Sequence, residues 1–541
     1  MSINFTTAKS TRFLDRTRVV AGPGFNRWLV PPCALAIQLC IGMAYGFSVF
    51  WLPLSRAIGI AEPVACKTMT LVQAITTTTC DWRVSDLVWT YTLFFVVLGA
   101  AAAIWGGWLE KAGPRRAGIV AAFCWAGGMA ISAIGVSIHE LWLVWLGSGL
   151  IGGVGLGLGY ISPVSTLIKW FPDRRGMATG MAIMGFGGGA MIGSPLADWL
   201  MKHFSSATSV GVWQTFLVLA AGYFVFMMAG ALGYRVPPEG WAPAGWIAPP
   251  ATDTLMSRFN VDLKDAHRTP QFWLIWLVLS LNVSASIGII GVASPMLQEI
   301  FGGRLIDAPG VLFTAFDDDQ KKAAAAVGAG FVGMISLFNI GGRFLWASLS
   351  DRLGRKRLFA IILALGAGLY GLAAPALAGG SIGLFILTFC ICASMYGGGF
   401  ATVPAYLADI FGTKYVGAIH GRLLTAWSTA GILGPLLVAY VRDARIAAGV
   451  PRDQLYQPIY LILAGMLAIG FVANLLVRPV ADRFHMPAEP AADAAAGVTG
   501  ATGAGATGGA SATVLLAWAA VGIPITWGIW MTVAKAAALL K

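Results

Sequence analysis

The chain has 541 residues, of which 57% are hydrophobic and only 11% charged, and its formal net charge is +12. Apolar windows of about 20 residues or more recur along it, which excludes a soluble enzyme and defines an all-α polytopic membrane protein. The basic balance follows from membrane topology and lipid-headgroup contact, so nucleic acid is not an expected partner and the lipid bilayer is.

In chain order, a polar segment 1–27 precedes windows at 28–55, 85–108, 117–137, 141–168, 176–201 and 211–234. A polar, proline-containing loop at 235–270 separates these from windows at 271–296, 323–348, 358–378, 381–409, 416–441 and 457–477. The expected division is therefore a six-helix half over 28–234 and a second over 271–478. An Ala/Gly/Thr linker follows at 479–512, and 513–534 is expected to be a thirteenth crossing helix. Its other reading is an interfacial segment, because Lys535 would otherwise lie on the far side.

Arg27, Lys111, Arg115, Arg116, Lys169, Arg174, Arg175, Arg352, Arg355, Lys356 and Arg357 fall on one side of such a topology. By the positive-inside rule that side, with the N-terminus, is cytoplasmic, and the expected location is a bacterial inner (plasma) membrane. No cleavable signal segment is expected. Cys66 and Cys80 then share an external loop and form a candidate disulfide; the other cysteines read as small apolar packing residues.

The halves repeat each other. Asp351 follows Glu110 by 241 residues (351 − 110), and the same offset pairs Arg352 with Lys111, Gly354 with Gly113, Pro404 with Pro163, Gly417 with Gly176 and Gly421 with Gly180. Two parallel six-helix repeats imply a transporter whose substrate binds between the halves near the bilayer midplane. "GGWLEKAGPRR" (106–116) and "ASLSDRLGRKR" (347–357) resemble the two copies of the signature loop of the major facilitator superfamily. That resemblance assigns a gating role to Glu110, Lys111, Gly113, Asp351, Arg352, Gly354 and Arg355. "KWFPDRRGMATG" (169–180), "YGFSVFWLPL" (45–54) and the stretch 396–428 resemble the oxalate:formate antiporter family over about residues 25 to 478.

Arg343 stands out within the eighth window. A guanidinium there costs about 2.5–3.5 kcal/mol on insertion scales and normally faces a cavity or a partner. Its repeat mate at 343 − 241 is Ala102, so the scaffold does not require a cation here. In the resembled family an Arg eight residues before the loop Asp contacts substrate carboxylate, and Arg343 matches that spacing. The alternative is an Arg snorkelling to the basic side. The family also carries a Lys in helix 11, where alignment on Gly421 places Trp427; a dianion would lose one countercharge, for which Arg422 and His420, one to two turns nearer the cytoplasm, are candidate substitutes with loop-facing roles as the other reading, and a monocarboxylate becomes at least as plausible a substrate as oxalate. Asn339, one turn before Arg343, replaces an Asp of related proton-coupled carriers, which favours anion exchange over proton symport.

Tyr45, Tyr160, Tyr396, Phe400 and Trp427 are the aromatic candidates for the cavity lining. "GGVGLGLGY" (152–160) has small-xxx-small spacing and lacks GxGxxG, so it reads as helix packing. "DDDQKK" (317–322) reads as the start of a helix, and no metal or cofactor is expected. The expected function is secondary transport of small carboxylates such as oxalate or formate. The alternatives are a non-transporting sensor on the same fold, or a carrier of another solute.

Overall fold

The computed structural model describes residues 16–60, 62–64, 66, 70–76, 79–246, 259–290, 292–376, 381–451, 454–487 and 512–536. Much of the 1–27 segment, part of the central loop and most of the 479–512 linker lie outside the described residues. The first bundle comprises α1 (Arg27–Leu54), α2 (Val84–Ala112), α3 (Pro114–Ser137), α4 (Leu141–Trp170), α5 (Arg175–Phe204) and α6 (Val212–Gly233). The second comprises α7 (Pro270–Ile290), α8 (Asp318–Leu353), α9 (Arg355–Ala376), α10 (Ile382–Phe411), α11 (Val416–Ala447) and α12 (Gln457–Leu476). The chain is thus an all-α polytopic membrane protein in two packed bundles, with a further C-terminal helix, α13 (Ala512–Ala536).

Several helices outrun their apolar windows because helix length is set by capping as well as hydropathy. α2 and α8 continue through charged residues until Gly113 and Gly354, where positive φ values of 88° and 84° turn the chain. Each glycine N–H closes the last turn, on Leu109 and Ser350 respectively. A side chain would be strained at either position. α8 begins on a capping box in which Asp317 accepts from the Gln320 N–H (2.8 Å) and the Gln320 side chain accepts from the Asp317 N–H (3.1 Å), so "DDDQKK" serves as a helix start.

Glycine stripes bring the helices together. Gly153 and Gly157 of α4 face Val97 and Leu98 of α2, whereas Gly155 and Gly159 face α3 and α1; Gly185, Gly189 and Gly193 line α5 against α1. The bundles meet where Gly176 and Gly180 of α5 admit the carbonyls of Ala347 and Arg343, and where Gly421 of α11 admits the carbonyl of Ala102 in α2. Gly180 and Gly421 are repeat mates, as are Ala102 and Arg343, so the two seams are the same contact made twice. The close approach belongs to the scaffold, and only the Arg343 side chain is particular to one half.

α13 packs on α1, α5 and α8. Trp518 Nε1 donates to the Trp28 carbonyl at 3.1 Å, Gly528 abuts Met191 and Ile192, and Thr532 reaches Gly333. The helix therefore starts beside the α1 end that carries Arg27 and runs parallel to α1 and α5. Its residues Ala512–Ala534 are long and apolar enough to cross a membrane, and they contact three spans along their length.

On the face opposite the basic loops, Cys66 and Cys80 are joined, with Cα atoms 5.9 Å apart. Asp81 gathers the loop by accepting from the N–H groups of Ile58 (2.7 Å), Gly59 (3.0 Å) and Val64 (2.8 Å). His139, in the α3–α4 turn, stacks on Trp82 at 4.0 Å between centroids and places Nε2 2.8 Å from the Cys80 carbonyl. Burial pushes its pKa below the ordinary 6.5 despite that hydrogen bond. The unfolded loop then takes up a proton below pH 6.5 that the folded imidazole resists, so stability is full above 6.5 and declines as pH falls toward the lowered value. Limited proteolysis of this loop should be roughly several-fold faster at pH 5 than at pH 7.5 relative to His139→Phe at the same two pH values. An identical ratio in both proteins would refute the linkage.

Candidate functional site

Two clusters combine residues of both bundles. One lies at the basic face. Asp351, after the last turn of α8's apolar stretch, accepts from the N–H groups of Gly176 and Met177 (2.8 Å each), which are unsatisfied first-turn donors of α5. Arg355 holds the same carboxylate at 2.6 Å. Its repeat mate Glu110 accepts from the Gly417 N–H of α11 (3.1 Å) and from Lys169 (2.7 Å). Each bundle thus caps a helix of the other with a carboxylate, placing negative charge at a positive helix end. Arg175 and Arg355 also converge on Asp409, at 2.9 and 3.3 Å. Glu110, Gly113, Asp351, Gly354 and Arg355 take direct part in this face, whereas Lys111 and Arg352 are exposed beside it.

The second cluster is centred on Arg343, whose side chain is fully buried (0% exposed) and therefore does not snorkel. Its Nε donates to Asn339 Oδ1 at 3.1 Å and Nη1 to the Ile183 carbonyl of α5 at 3.2 Å. Nη2 has no partner among the described residues, and no carboxylate there pairs with the guanidinium. Asn339 spends its amide nitrogen on the Ala393 carbonyl (3.1 Å), so both its polar groups are engaged and its local part is to hold Arg343.

Aromatic rings from both bundles enclose the guanidinium. Its Cζ lies 5.6 Å from the Phe400 ring centre and 6.0 Å from those of Tyr45 and Phe186. Trp427 touches Phe400 (4.8 Å), Tyr160 (5.6 Å) and Tyr45 (6.3 Å), and the Tyr45 and Tyr396 hydroxyls are 3.5 Å apart. Tyr45 sits where α1 tightens over Gly42–Phe50 into three residues per turn. The expected residues Arg343, Asn339, Tyr45, Tyr160, Tyr396, Phe400 and Trp427 are therefore brought into one cluster. Tyr160 Oη and Trp427 Nε1, like Arg343 Nη2, are buried donors without partners among the described residues. Such groups cost about 1–3 kcal/mol each when unmet.

Reading the sequence missed two contributors. Phe186 is the lone aromatic in "MGFGGG" (184–189), a signal that glycine packing obscured. Phe95 packs on Trp427 at 5.2 Å, and within the aromatic and aliphatic run "YTLFFVVL" (91–98) nothing local marks it out.

Two parallel six-helix bundles meeting around a buried cation with no carboxylate partner among the described residues, and with a mutually capped face on one side, define a secondary transporter working by alternating access. Residues 34–317 and 320–539 match the Major Facilitator Superfamily, and the chain belongs to that superfamily. It is 26% identical to the oxalate:formate antiporter of Oxalobacter formigenes over 76% of this chain and 83% of the relative. It is 25% identical to human monocarboxylate transporter 11 over 78% and 79% of the two chains. The fucose:proton symporter of E. coli shares the fold with a TM-score of 0.55, 14% identity, and coverage of 83% and 97%.

Proposed function

We propose that the protein exchanges small carboxylate anions across the membrane, binding them at Arg343 between the bundles, with the basic face toward the cytoplasm. The observation that carries this reading is a fully buried guanidinium with a free Nη2 and no carboxylate partner among the described residues. A planar carboxylate meets a guanidinium fork with two parallel hydrogen bonds and supplies the missing countercharge. Trp427 Nε1 and Tyr160 Oη offer further donors, and the surrounding rings exclude water. A neutral sugar would leave the cation uncompensated. The names of the oxalate:formate antiporter and of the monocarboxylate transporter support the same substrate class.

The test is counterflow in proteoliposomes preloaded with formate, lactate or oxalate, followed with labelled acid outside. Saturable counterflow of at least one acid is expected; saturable binding with no flux would mark a sensor instead. A companion variant addresses the site charge. Asn339→Asp places a carboxylate where Oδ1 now lies 3.1 Å from Arg343 Nε, so it should compete with substrate. Formate counterflow should fall roughly tenfold at pH 7.5 and recover as pH drops and the new Asp protonates. A pH-independent defect would exclude this competition.

A further inference from the structure

The guanidinium of Arg343 lies close against the backbone of α5 because residue 187 has no side chain. A Cβ built on Gly187 would sit 3.0 Å from Arg343 Nε, 3.2 Å from its Cζ and 3.2 Å from Ile340 Cγ1. These separations are shorter than ordinary van der Waals contact, so the arginine would have to give way. The helix itself does not ask for the glycine. Gly187 lies inside α5 without a positive φ, and at such a position glycine is less stable than alanine. Nor is it part of the packing stripe: Gly185 and Gly189 face Leu35 and Gly42 of α1, whereas Gly187 faces α8.

The repeat supplies a control. The mate of Gly187, at 187 + 241, is Ser428, which carries a side chain at the equivalent place in the α2–α11 seam. Ser428 meets Gly99 there and donates from Oγ to the Phe95 carbonyl at 2.8 Å. Gly99 is the mate of Ile340, as Ala102 is of Arg343. One seam therefore has bulk at 340 and 343 and none at 187, and the other has a side chain at 428 and small residues at 99 and 102. Gly397 of α10 bounds the arginine from the second bundle, since its Cβ would lie 3.1 Å from Arg343 Cγ. Within this slot Nη1 reaches the Ile183 carbonyl, one turn before Gly187, at 3.2 Å. A guanidinium displaced from α5 has only the space enclosed by the rings of Tyr45, Phe186 and Phe400, whose centres stand 5.6–6.0 Å from Cζ.

We propose that Gly187 is a positioning residue that fixes how far Arg343 withdraws onto α5, and so sets the longest carboxylate the site accepts. With no side chain at 187, the guanidinium keeps its bond to Ile183 and presents Nη2 to the substrate. The body of the substrate then occupies the room that the arginine has vacated. A methyl group at 187 pushes the guanidinium into that room by a few tenths of an ångström, at the expense of the longest acids first. One methylene in a filled pocket is worth about tenfold or more in discrimination, whereas formate has no carbon beyond its carboxylate to lose. The role rests on the carboxylate reading of Arg343.

The experiment uses the full chain in liposomes. Counterflow of the labelled acid that the wild type carries is inhibited with unlabelled formate, acetate, propionate and butyrate, in the wild type and in Gly187→Ala. The half-inhibiting concentration of the longest acid that competes in the wild type should rise about tenfold in the variant, and that of formate less than about threefold. Equal changes for every acid, no change for any, or competition by formate alone in the wild type overturns the role of Gly187. Thermal melting keeps the contact testable should Gly187→Ala fold poorly. The substitution should lower the melting midpoint in the wild type but not in an Arg343→Ala background, where the obstructing side chain is gone. Equal lowering in both backgrounds, or misfolding in both, overturns it. Absence of formate, lactate and oxalate counterflow in the wild type would refute the carboxylate reading itself, whereas counterflow beside a uniform change would refute only Gly187.

Discussion

Arg343→Ala should reduce carboxylate counterflow at least roughly 100-fold while leaving the protein folded and membrane-inserted. Losing one member of a buried charge-assisted pair costs about 2–5 kcal/mol, and each 1.4 kcal/mol is a factor of ten. The loss should fall on binding, because the guanidinium is the one fixed positive charge of the cluster among the described residues. Arg343→Lys is expected to restore part of the activity, since an ammonium keeps the charge but not the two parallel hydrogen bonds. The fold should tolerate the change because the repeat mate, Ala102, occupies the equivalent seam with a methyl group, and Gly421 meets its carbonyl as Gly180 meets that of Arg343. Counterflow unchanged in Arg343→Ala, with normal expression, would remove this residue from the substrate path.

Asp351→Asn should loosen the basic face, and Glu110→Gln should do the same through the opposite seam. Each carboxylate satisfies first-turn N–H groups of a helix in the other bundle while holding a cation of its own. Removing the charge from such a cap is worth about 1–2 kcal/mol, or about a tenfold shift toward the state open at this face. The caps share no residue, so the double variant should combine both shifts, to roughly 100-fold. A cysteine at Ser165, buried beside Gly417, would report the opening. In a background without the five free cysteines, its labelling by an impermeant maleimide from the basic face should accelerate by these factors. If the single variants label at the parental rate, the caps do not hold this face shut.

Much of this was legible from residue order alone because the relevant signals are local or periodic. Hydropathy windows located the spans, since a helix in a bilayer must be apolar over its crossing length. The 241-residue offset exposed the duplication, and with it the oddity of Arg343 opposite Ala102. Several features could be decided only by tertiary structure. That Asp351 caps α5 and Glu110 caps α11 depends on helix ends hundreds of residues away in the chain. That Asn339 holds Arg343, while Phe186 and Phe95 complete the cluster, depends on which side of each helix faces inward, and residue order alone does not fix that. The same holds for α13, whose place against α1, α5 and α8 rests on surfaces where Gly528 and Gly333 leave room for close approach. Between membrane helices, shape and unmet hydrogen bonds select the partner, because burial of apolar surface no longer distinguishes protein from lipid.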